Sequence, residues 1–333
     1  TGSFLWTHFI NPDPVSAELK QMVTDSKTST FSVKKWEEAD RYSKKAIKFK
    51  EKDELMSSGN EFAVTGVKLK APYGIACLPE GILLADHGES CLYLIDYSGN
   101  LVRKIGELGN GPNQFQKPTG CTYHNGYYYV IDSGNKRIVI LDRQFNYTKE
   151  LKLPKSEREP EKEFTDIAIN DKGDIYISGS YLYDSGLYRY NLGKEKFENV
   201  QKYFYGSLKE FDGEVYAVDQ FRIYVDFEKK EITGGAGPNA LWRLDGRNIK
   251  KLSNLPAGLN AGSFELLRDN LIICSPFHSA VMVFNMKNGK YMSNIYEVDK
   301  MDYKTYASIY GSDLYITEPE KGKILKISLE KLQ

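Results

Sequence analysis

The chain has 333 residues, with 45 basic and 45 acidic side chains, and therefore a formal net charge of zero at neutral pH. No overall field favours nucleic acid or an anionic membrane surface, and no apolar run is long enough for a membrane-spanning helix. The 24 tyrosines suit half-buried strands, because the ring packs while the hydroxyl finds a polar partner. The length permits two domains or one closed β architecture.

Residues 1–59 differ in composition from the rest of the chain. Asp13 followed by Pro14 indicates the start of a helix, because aspartate caps the first turn and proline fits within it. Residues 33–56 are rich in Lys, Glu and Ala and contain few large apolar side chains. We therefore predict a helical or irregular extension over residues 1–59, packed on a main domain over residues 60–333.

Two similar segments begin at Ala71 and Lys117, and their equivalent residues Asp86 and Asp132 are 46 positions apart. A fixed period of this length indicates repeated supersecondary units. Each unit predicts four short strands. In unit one these are Gly74–Leu78, Gly81–Ala85, Cys91–Asp96 and Leu101–Ile105, and in unit two Gly120–Tyr123, Tyr127–Ile131, Ile138–Asp142 and Tyr147–Leu151.

Four weaker copies follow between Thr165 and Ser328, and the sixth copy lacks a fourth strand. The segment EFAVTGVKLK at residues 61–70 can supply that strand by lying beside residues 324–328. The second strand of each unit is apolar on both faces, as expected where one sheet packs on the next. The sequence thus predicts an all-β, six-bladed β-propeller closed by an N-terminal outer strand, with a short helical extension.

The repeat resembles the NHL repeat, with its proline, glycine, aspartate and arginine at fixed spacing. The residues that carry the resemblance are Pro118, Gly120, Asp132, Ser133, Gly134, Asn135, Arg137, Ile138 and Asp142 in unit two, and Pro72, Gly74, Asp86, Gly88, Leu92, Asp96 and Gly99 in unit one. The resemblance implies six blades but no single activity, since NHL proteins include protein- and RNA-binding modules, lyases and hydrolases.

The chain also resembles six-bladed propeller proteins exported by gut Bacteroidetes. This resemblance implies a periplasmic, cell-surface or secreted protein, with a cytoplasmic one as the alternative. We further expect a monomer. The four cysteines show no metal-ligand spacing, so they are interpreted as buried free thiols, with disulfides as the alternative. No metal or cofactor is predicted.

Propeller ligands usually meet the face that carries the loops between strands two and three. Here those loops are residues 86–91, 132–137, 179–186, 219–240, 275–280 and 318–323. His87 and His278 fall within them, with Asp219 and Glu318 as nearby carboxylates, which makes these four the candidate catalytic residues. The alternative is that both histidines are solvated loop residues.

An aromatic and basic rim on the same face would suit a sugar, a peptide or an aromatic ligand. Its candidate residues are Tyr73, Tyr181, Tyr183, Arg222 and Phe277, with ordinary packing between loops as the alternative. Unit four carries an insertion after Asp219 in which FRIYVDF and KEIT predict an added hairpin. An insertion in one repeat often marks the elaborated face.

Two charged patterns are given structural interpretations. Asp86, Asp132 and Asp219 recur in register, which is typical of aspartates that bind the backbone N–H groups of their own turn. The charge run KSEREPEKE at residues 155–163 is interpreted as a solvated loop between blades.

Two functions remain open. In the first, the propeller is a binding scaffold for a protein, peptide or glycan on the loop face. In the second, it is a lyase or hydrolase with an axial site, which would bring titratable groups with shifted pKa values together in a pocket. RNA binding is disfavoured by the even charge balance.

Overall fold

The computed structural model describes residues 32–33, 57–155, 163–180, 186–202, 204, 206–219, 222–226, 231–235, 239–256, 259, 261–276, 278–298, 300–302 and 304–332. The predicted helix at Asp13 lies outside these residues. The same holds for three of the predicted rim residues, Tyr181, Tyr183 and Phe277, and for the side chain of Arg222.

The chain first contributes two short strands, β1 (Ser32–Val33) and β2 (Gly59–Glu61). Blades one to three follow, with a two-stranded parallel ribbon, β7 and β8, in the first connection. The strands are β3 Pro72–Leu78, β4 Gly81–Asp86, β5 Cys91–Ile95, β6 Leu101–Ile105, β7 Glu107–Leu108, β8 Gln114–Phe115, β9 Pro118–His124, β10 Tyr127–Asp132, β11 Arg137–Leu141, β12 Tyr147–Lys152, β13 Glu163–Ile169, β14 Ile175–Ser180, β15 Gly186–Asn191 and β16 Lys196–Lys202.

Blades four to six complete the chain, and the only helices in the described residues are two short 3-10 turns, Leu192–Lys194 and Glu330–Leu332. The strands are β17 Gly206–Phe211, β18 Glu214–Asp219, β19 Arg222–Asp226, β20 Glu231–Gly235, β21 Ala240–Asp245, β22 Asn248–Asn254, β23 Ser263–Leu267, β24 Asn270–Ser275, β25 Ala280–Asn285, β26 Tyr291–Glu297, β27 Ala307–Tyr310, β28 Asp313–Glu318 and β29 Lys323–Ser328.

The six sheets form a closed ring around an axis. In each sheet the first strand lies at one edge and the other strands follow outward in antiparallel order. Each first strand contacts the first strand of the next blade, and β27 of the sixth blade contacts β3 of the first. This arrangement confirms the predicted six-bladed β-propeller, and all eight strands predicted in units one and two are present, with ends shifted by at most two residues.

The core consists of six apolar clusters, one between each pair of neighbouring blades. Strand β4 shows why the second strands are apolar on both faces. Leu83 faces blade two, whereas Ile82 and Leu84 face blade six, and none of the three is exposed to solvent. Each such side chain contributes about 1.5–3 kcal/mol through burial.

The N-terminal segment closes the ring, but over fewer residues than predicted. Strand β2 pairs with β29, with Gly59 opposite Ile327 and Glu61 opposite Leu325, and Phe62 N donates to Ile324 O at 2.8 Å. The prediction that residues 61–70 form this strand was wrong beyond Phe62. After that residue the chain turns towards blade one, where Thr65 N donates to Gly99 O at 2.8 Å.

Two glycines of the repeat are required by the close approach of the first strands around the axis. A Cβ on Gly74 would lie 2.0 Å from Thr119 O, and a Cβ on Gly120 would lie 2.8 Å from Thr165 O. Real Cβ atoms do not approach other atoms so closely, so a side chain here would push neighbouring blades apart. The spacing of these glycines therefore follows from the geometry of the ring.

The insertion in blade four forms the predicted hairpin. Strands β19 and β20 pair antiparallel, with Val225 opposite Ile232. Strand β1 adds to this hairpin in parallel, with Ser32 opposite Glu231. Residues 32–33 of the N-terminal extension therefore lie on the insertion of blade four, whereas its last residues, 57–59, lie beside blades five and six.

Candidate functional site

The loops between second and third strands share a face with the starts of the first strands. Pro72 at the start of β3 pairs with Asp86 at the end of β4, and Glu163 at the start of β13 pairs with Ser180. This face is called the loop face. The opposite face carries the turns between first and second strands and is called the turn face.

A row of rings lies at the loop-face end of the axis. The Tyr73 ring stacks on His87, with centroids 4.3 Å apart and planes at 11°, and on Tyr306 at 6.0 Å and 26°. Lys304 Nζ lies 5.0 Å from the centre of the Tyr73 ring, within the range of a cation–π contact. The structure thus brings together two of the predicted residues, Tyr73 and His87.

An ion pair completes this group. Lys304 Nζ lies 3.2 Å from Glu163 Oε2, and each side chain is 28% exposed. Glu163 begins the first strand of blade three, whereas Lys304 precedes the first strand of blade six. Because these blades are opposite each other in a ring of six, the ion pair crosses the axis. Tyr73, His87, Glu163, Lys304 and Tyr306 are together called the loop-face mouth.

Burial and neighbouring charges shift the pKa values of the ionisable side chains in the loop-face mouth. Burial lowers the pKa of His87, although the negative charge of Glu163 opposes this shift. Burial alone would raise the pKa of Glu163, but Lys304 and His87 outweigh it and the net pKa is lowered. Burial raises the pKa of the Tyr73 hydroxyl. At neutral pH the imidazole is therefore neutral and the carboxyl is ionised.

One nitrogen of His87 stands out within this group. Its Nδ1 atom is buried and has no hydrogen-bond partner among the residues that the structure describes. A buried polar atom without a partner carries a desolvation cost.

The other predicted catalytic residues have identified partners elsewhere. His278 Nδ1 lies 2.8 Å from Ser275 Oγ in blade five. The carboxylate of Asp219 accepts from Ala240 N at 2.6 Å, and that of Glu318 pairs with Lys321 at 2.5 Å. Both acids are almost fully buried. These contacts give Asp219 and Glu318 structural roles within blades four and six.

The repeated aspartates bind backbone N–H groups, as predicted, but the backbone partner of Asp132 lies in the segment before β9 and not in its own turn. Asp86 accepts from the N–H groups of Lys70 and Ala71 at 2.8 and 3.0 Å, and from two N–H groups of its own turn. Asp132 accepts from Gln116 N at 2.6 Å and pairs with Arg137 at 2.9 Å. In each case the carboxylate ties the turn to the segment that enters the same blade.

A cavity of about 330 Å³ occupies the axial channel on the turn-face side. First strands of all six blades line it, from Gly74 at the deep end to Pro79 and Glu210, which are exposed, at the turn face. Tyr306 lines the deep end and also stacks on Tyr73. The rings of the loop-face mouth therefore adjoin the inner end of this cavity.

Three charged side chains meet in the wall of the cavity. Lys209 Nζ lies 2.8 Å from Glu265 Oε1 and donates to Ala307 O at 2.5 Å. Asp166 accepts from Leu208 N at 2.9 Å and from Ile167 N at 3.0 Å. Asp166, Lys209 and Glu265 are called the channel triad.

Burial and mutual charge interactions shift the pKa values of all three side chains of the channel triad. Burial raises the pKa of Asp166 and of Glu265, and Lys209 opposes both shifts. Burial would lower the pKa of Lys209, but Glu265 and Asp166 outweigh it, so its pKa is raised. Lys209 is therefore a cation at neutral pH, held between two carboxyl groups that retain protons more readily than usual.

The channel triad was not predicted from the sequence, although its charged residues are visible there within first strands. Asp166 and Glu265 each interrupt a largely apolar first strand, in the segments TDIAI and SFELL, and Lys209 lies beside Glu210 in SLKEF. The reading of residues 155–163 as a solvated loop was wrong for Glu163, which begins strand β13 and is half-buried in an ion pair.

The cysteines are free thiols, as predicted, and three of the four are buried. Cys77 and Cys121 line the cavity, and burial raises the pKa of each thiol to about 12. Such thiols are protonated at neutral pH and are poor nucleophiles. In the part of the chain that the structure describes, no group of three or more His, Cys, Asp or Glu side chains is arranged to hold a metal ion.

Comparison with known proteins supports the fold. A family model described as a 6-bladed beta-propeller matches residues 66–205, which is less than half of the chain. No curated protein matches. The resemblance to NHL repeats therefore remains a prediction.

Solved structures resemble the chain over most of its length. Virginiamycin B lyase from Staphylococcus aureus is 16% identical, with a TM-score of 0.54 over 82% of this chain and 99% of that one. A “putative gluconolactonase” is 10% identical, with a TM-score of 0.58 over 83% and 94%. A “putative exported protein” from Bacteroides fragilis is 14% identical, with a TM-score of 0.54 over 83% and 95%.

Similarity at these identities shows the fold alone. A second structure of the Staphylococcus aureus lyase carries a histidine-to-alanine change that makes that enzyme catalytically inactive. Among the described residues of this chain, no helix has the length and apolar character needed to cross a membrane.

Proposed function

We propose that the protein binds, at the loop-face mouth, a ligand that carries both a ring and a carboxylate. The observation that carries this proposal is the Lys304–Glu163 ion pair lying across the axis beside the stacked rings of Tyr73 and His87. This proposal narrows the binding scaffold predicted from the sequence to one end of the axis and one ligand chemistry.

Lysine side chains in and near the mouth can donate hydrogen bonds to a ligand carboxylate. Lys304 lies within it, Lys117 is close enough to act on the pKa of both His87 and Glu163, and His87 is neutral at neutral pH. These two lysines lie near Glu163, and a second carboxylate, Glu320, is close enough to raise the pKa of Tyr73. A ligand carboxylate can join Glu163 in binding Lys304, and the partly desolvated setting makes such a charged hydrogen bond stronger than in water.

The rings of the mouth favour a planar or ring-shaped group beside that carboxylate. Tyr73 and Tyr306 are both partly exposed, and Tyr73 has a neighbouring cation. Aromatic and sugar rings both pack on tyrosine faces. Two kinds of ligand combine a ring with a carboxylate. One is the C-terminus of a peptide that ends in an aromatic residue, and the other is the uronic acid end of a glycan.

Isothermal titration with N-acetyl-phenylalanine and its uncharged amide tests the proposal. We expect the acid to bind and the amide to bind at least about tenfold more weakly, because one charged hydrogen bond is worth about 1.5–3 kcal/mol. Lys304→Met should remove this preference. Glucuronic acid and methyl glucoside form the matched pair for a glycan source. Equal binding of acid and neutral partner in both pairs would contradict the proposal.

A second candidate function is a lyase or hydrolase at the same mouth. It is favoured by the buried, unpartnered Nδ1 of His87, whose lowered pKa leaves it free to accept a proton at neutral pH. It differs from binding alone in one observable, the formation of a product, which His87→Gln would stop.

A further inference from the structure

The axial cavity on the turn-face side is a site separate from the loop-face mouth. We infer that it binds a small primary ammonium ion with an apolar body, which enters from the turn face and places its charge on Glu265 and Asp166. This inference does not depend on the ligand proposed for the mouth, because different charged residues and the opposite face are involved, although Tyr306 contributes to both sites.

The net charge of the residues that line the cavity favours a cationic ligand over an anionic one. The channel triad holds one lysine and two carboxyl groups, so its formal charge is negative when all three are ionised. Glu210 also lines the cavity and adds a further negative charge close to Glu265. In a partly desolvated channel such an imbalance is costly, and burial accordingly raises the pKa of both Asp166 and Glu265. A bound cation offsets the imbalance by favouring the ionised form of both carboxyl groups. An anionic ligand would have to pair with Lys209, whose charge Glu265 already neutralises.

The hydrogen-bonding groups favour an ammonium ion over a bare metal ion. An ammonium group donates three hydrogen bonds, and the cavity offers carboxylate oxygens from Glu265 and Asp166 as acceptors. The same wall carries the Cys77 and Cys121 thiols, which stay protonated at neutral pH and are not ligands for a hard cation. No described group of acidic side chains is arranged around a metal position.

The size and lining of the cavity set the body of the ligand. A volume of about 330 Å³ corresponds to about ten water molecules, so a ligand of about ten non-hydrogen atoms fits. Around the triad and towards the turn face, the lining combines the apolar side chains of Leu78, Tyr123 and Ile309 with the hydroxyl groups of Thr122 and Ser308. An alkyl or arylalkyl chain can pack there while its ammonium group reaches the triad.

Three probes of one shape test the inference by isothermal titration at constant ionic strength. These are 2-phenylethylamine as the cation, 2-phenylethanol as the neutral molecule and phenylacetate as the anion. We expect the amine to bind at least about tenfold more tightly than the alcohol, and the anion to bind most weakly. The absence of amine binding, or equal binding of all three probes, would overturn the inference.

Two variants locate the binding site. Glu265→Gln keeps the shape of the side chain and removes one negative charge, so amine binding should weaken at least about tenfold. Because a buried change can impair folding, the exposed Glu210→Gln serves as a second variant, in which we expect a severalfold loss. Lys304→Met in the loop-face mouth should leave amine binding unchanged. Amine binding that is lost in Lys304→Met but retained in both glutamate variants would place the amine at the mouth and overturn the inference.

Discussion

His87 is subject to two opposing influences on its pKa. Burial against Tyr73 favours the neutral imidazole, whereas Glu163 favours the imidazolium and Lys304 and Lys117 disfavour it. The net shift is downward, so the unfolded chain binds a proton at His87 more readily than the folded protein does. Folding is therefore disfavoured at His87 once the pH falls below the ordinary histidine value.

The lowered pKa of His87 predicts that the stability of the native protein depends on pH more strongly than that of the His87→Gln variant. As the pH falls from about 7.5 to about 5, the native protein should lose more free energy of unfolding than the variant does, by about 1.4 kcal/mol for each unit by which the pKa is lowered. Urea denaturation at several pH values measures both. Parallel pH dependence of the two proteins would show that His87 titrates normally.

Residues that stabilise their own repeat unit could be predicted from the sequence, because the same residue type occurs at the equivalent position of more than one unit. Asp86 and Asp132 recur in register and bind backbone N–H groups of the equivalent segments that enter their blades. Glu163 shows the limit of this reasoning. It is the last residue of a charge run whose composition is typical of a solvated loop. Its half-buried position becomes evident only from its ion pair with Lys304 of another blade.

At the scale of elements, the closing segment combines a short strand with a longer apolar contact. Only three residues of β2 pair with β29, yet Phe62 and Leu69 beyond it are buried between blades six and one. Phe62 meets the Tyr315 ring edge-on, with centroids 5.3 Å apart. The alternating apolar residues of 61–70 predicted burial, but the turn towards Gly99 was not visible in that pattern.

Phe62→Ala should therefore destabilise the protein by about 3–5 kcal/mol, the usual cost of removing a buried phenylalanine side chain. Val102→Ala, at a side chain that is 56% exposed, is the matched control and should change stability by less than about 0.5 kcal/mol. Urea denaturation gives both values. If Phe62→Ala cost no more than the control, the closing segment would contribute little to stability.

At the scale of the whole molecule, the closed ring brings together residues that are remote in sequence. Lys304 meets Glu163 from the opposite blade, 141 residues away, and Lys209 of blade four donates to Ala307 of blade six. The repeat pattern predicts the number of blades, but it does not show which side chains reach the axis. For this reason the architecture could be predicted from the sequence, whereas the loop-face mouth and the channel triad required coordinates.

The ion pair across the mouth provides the most direct measurement of the proposed function. Glu163→Gln removes the carboxylate that competes for Lys304 and keeps its shape, so the variant should bind N-acetyl-phenylalanine about five to ten times more tightly than the native protein, a gain of about 1–1.4 kcal/mol. Binding of the amide should stay unchanged. Isothermal titration of both proteins decides the matter, and an unchanged or weaker affinity of Glu163→Gln for the acid would contradict the proposal that Lys304 receives the ligand carboxylate.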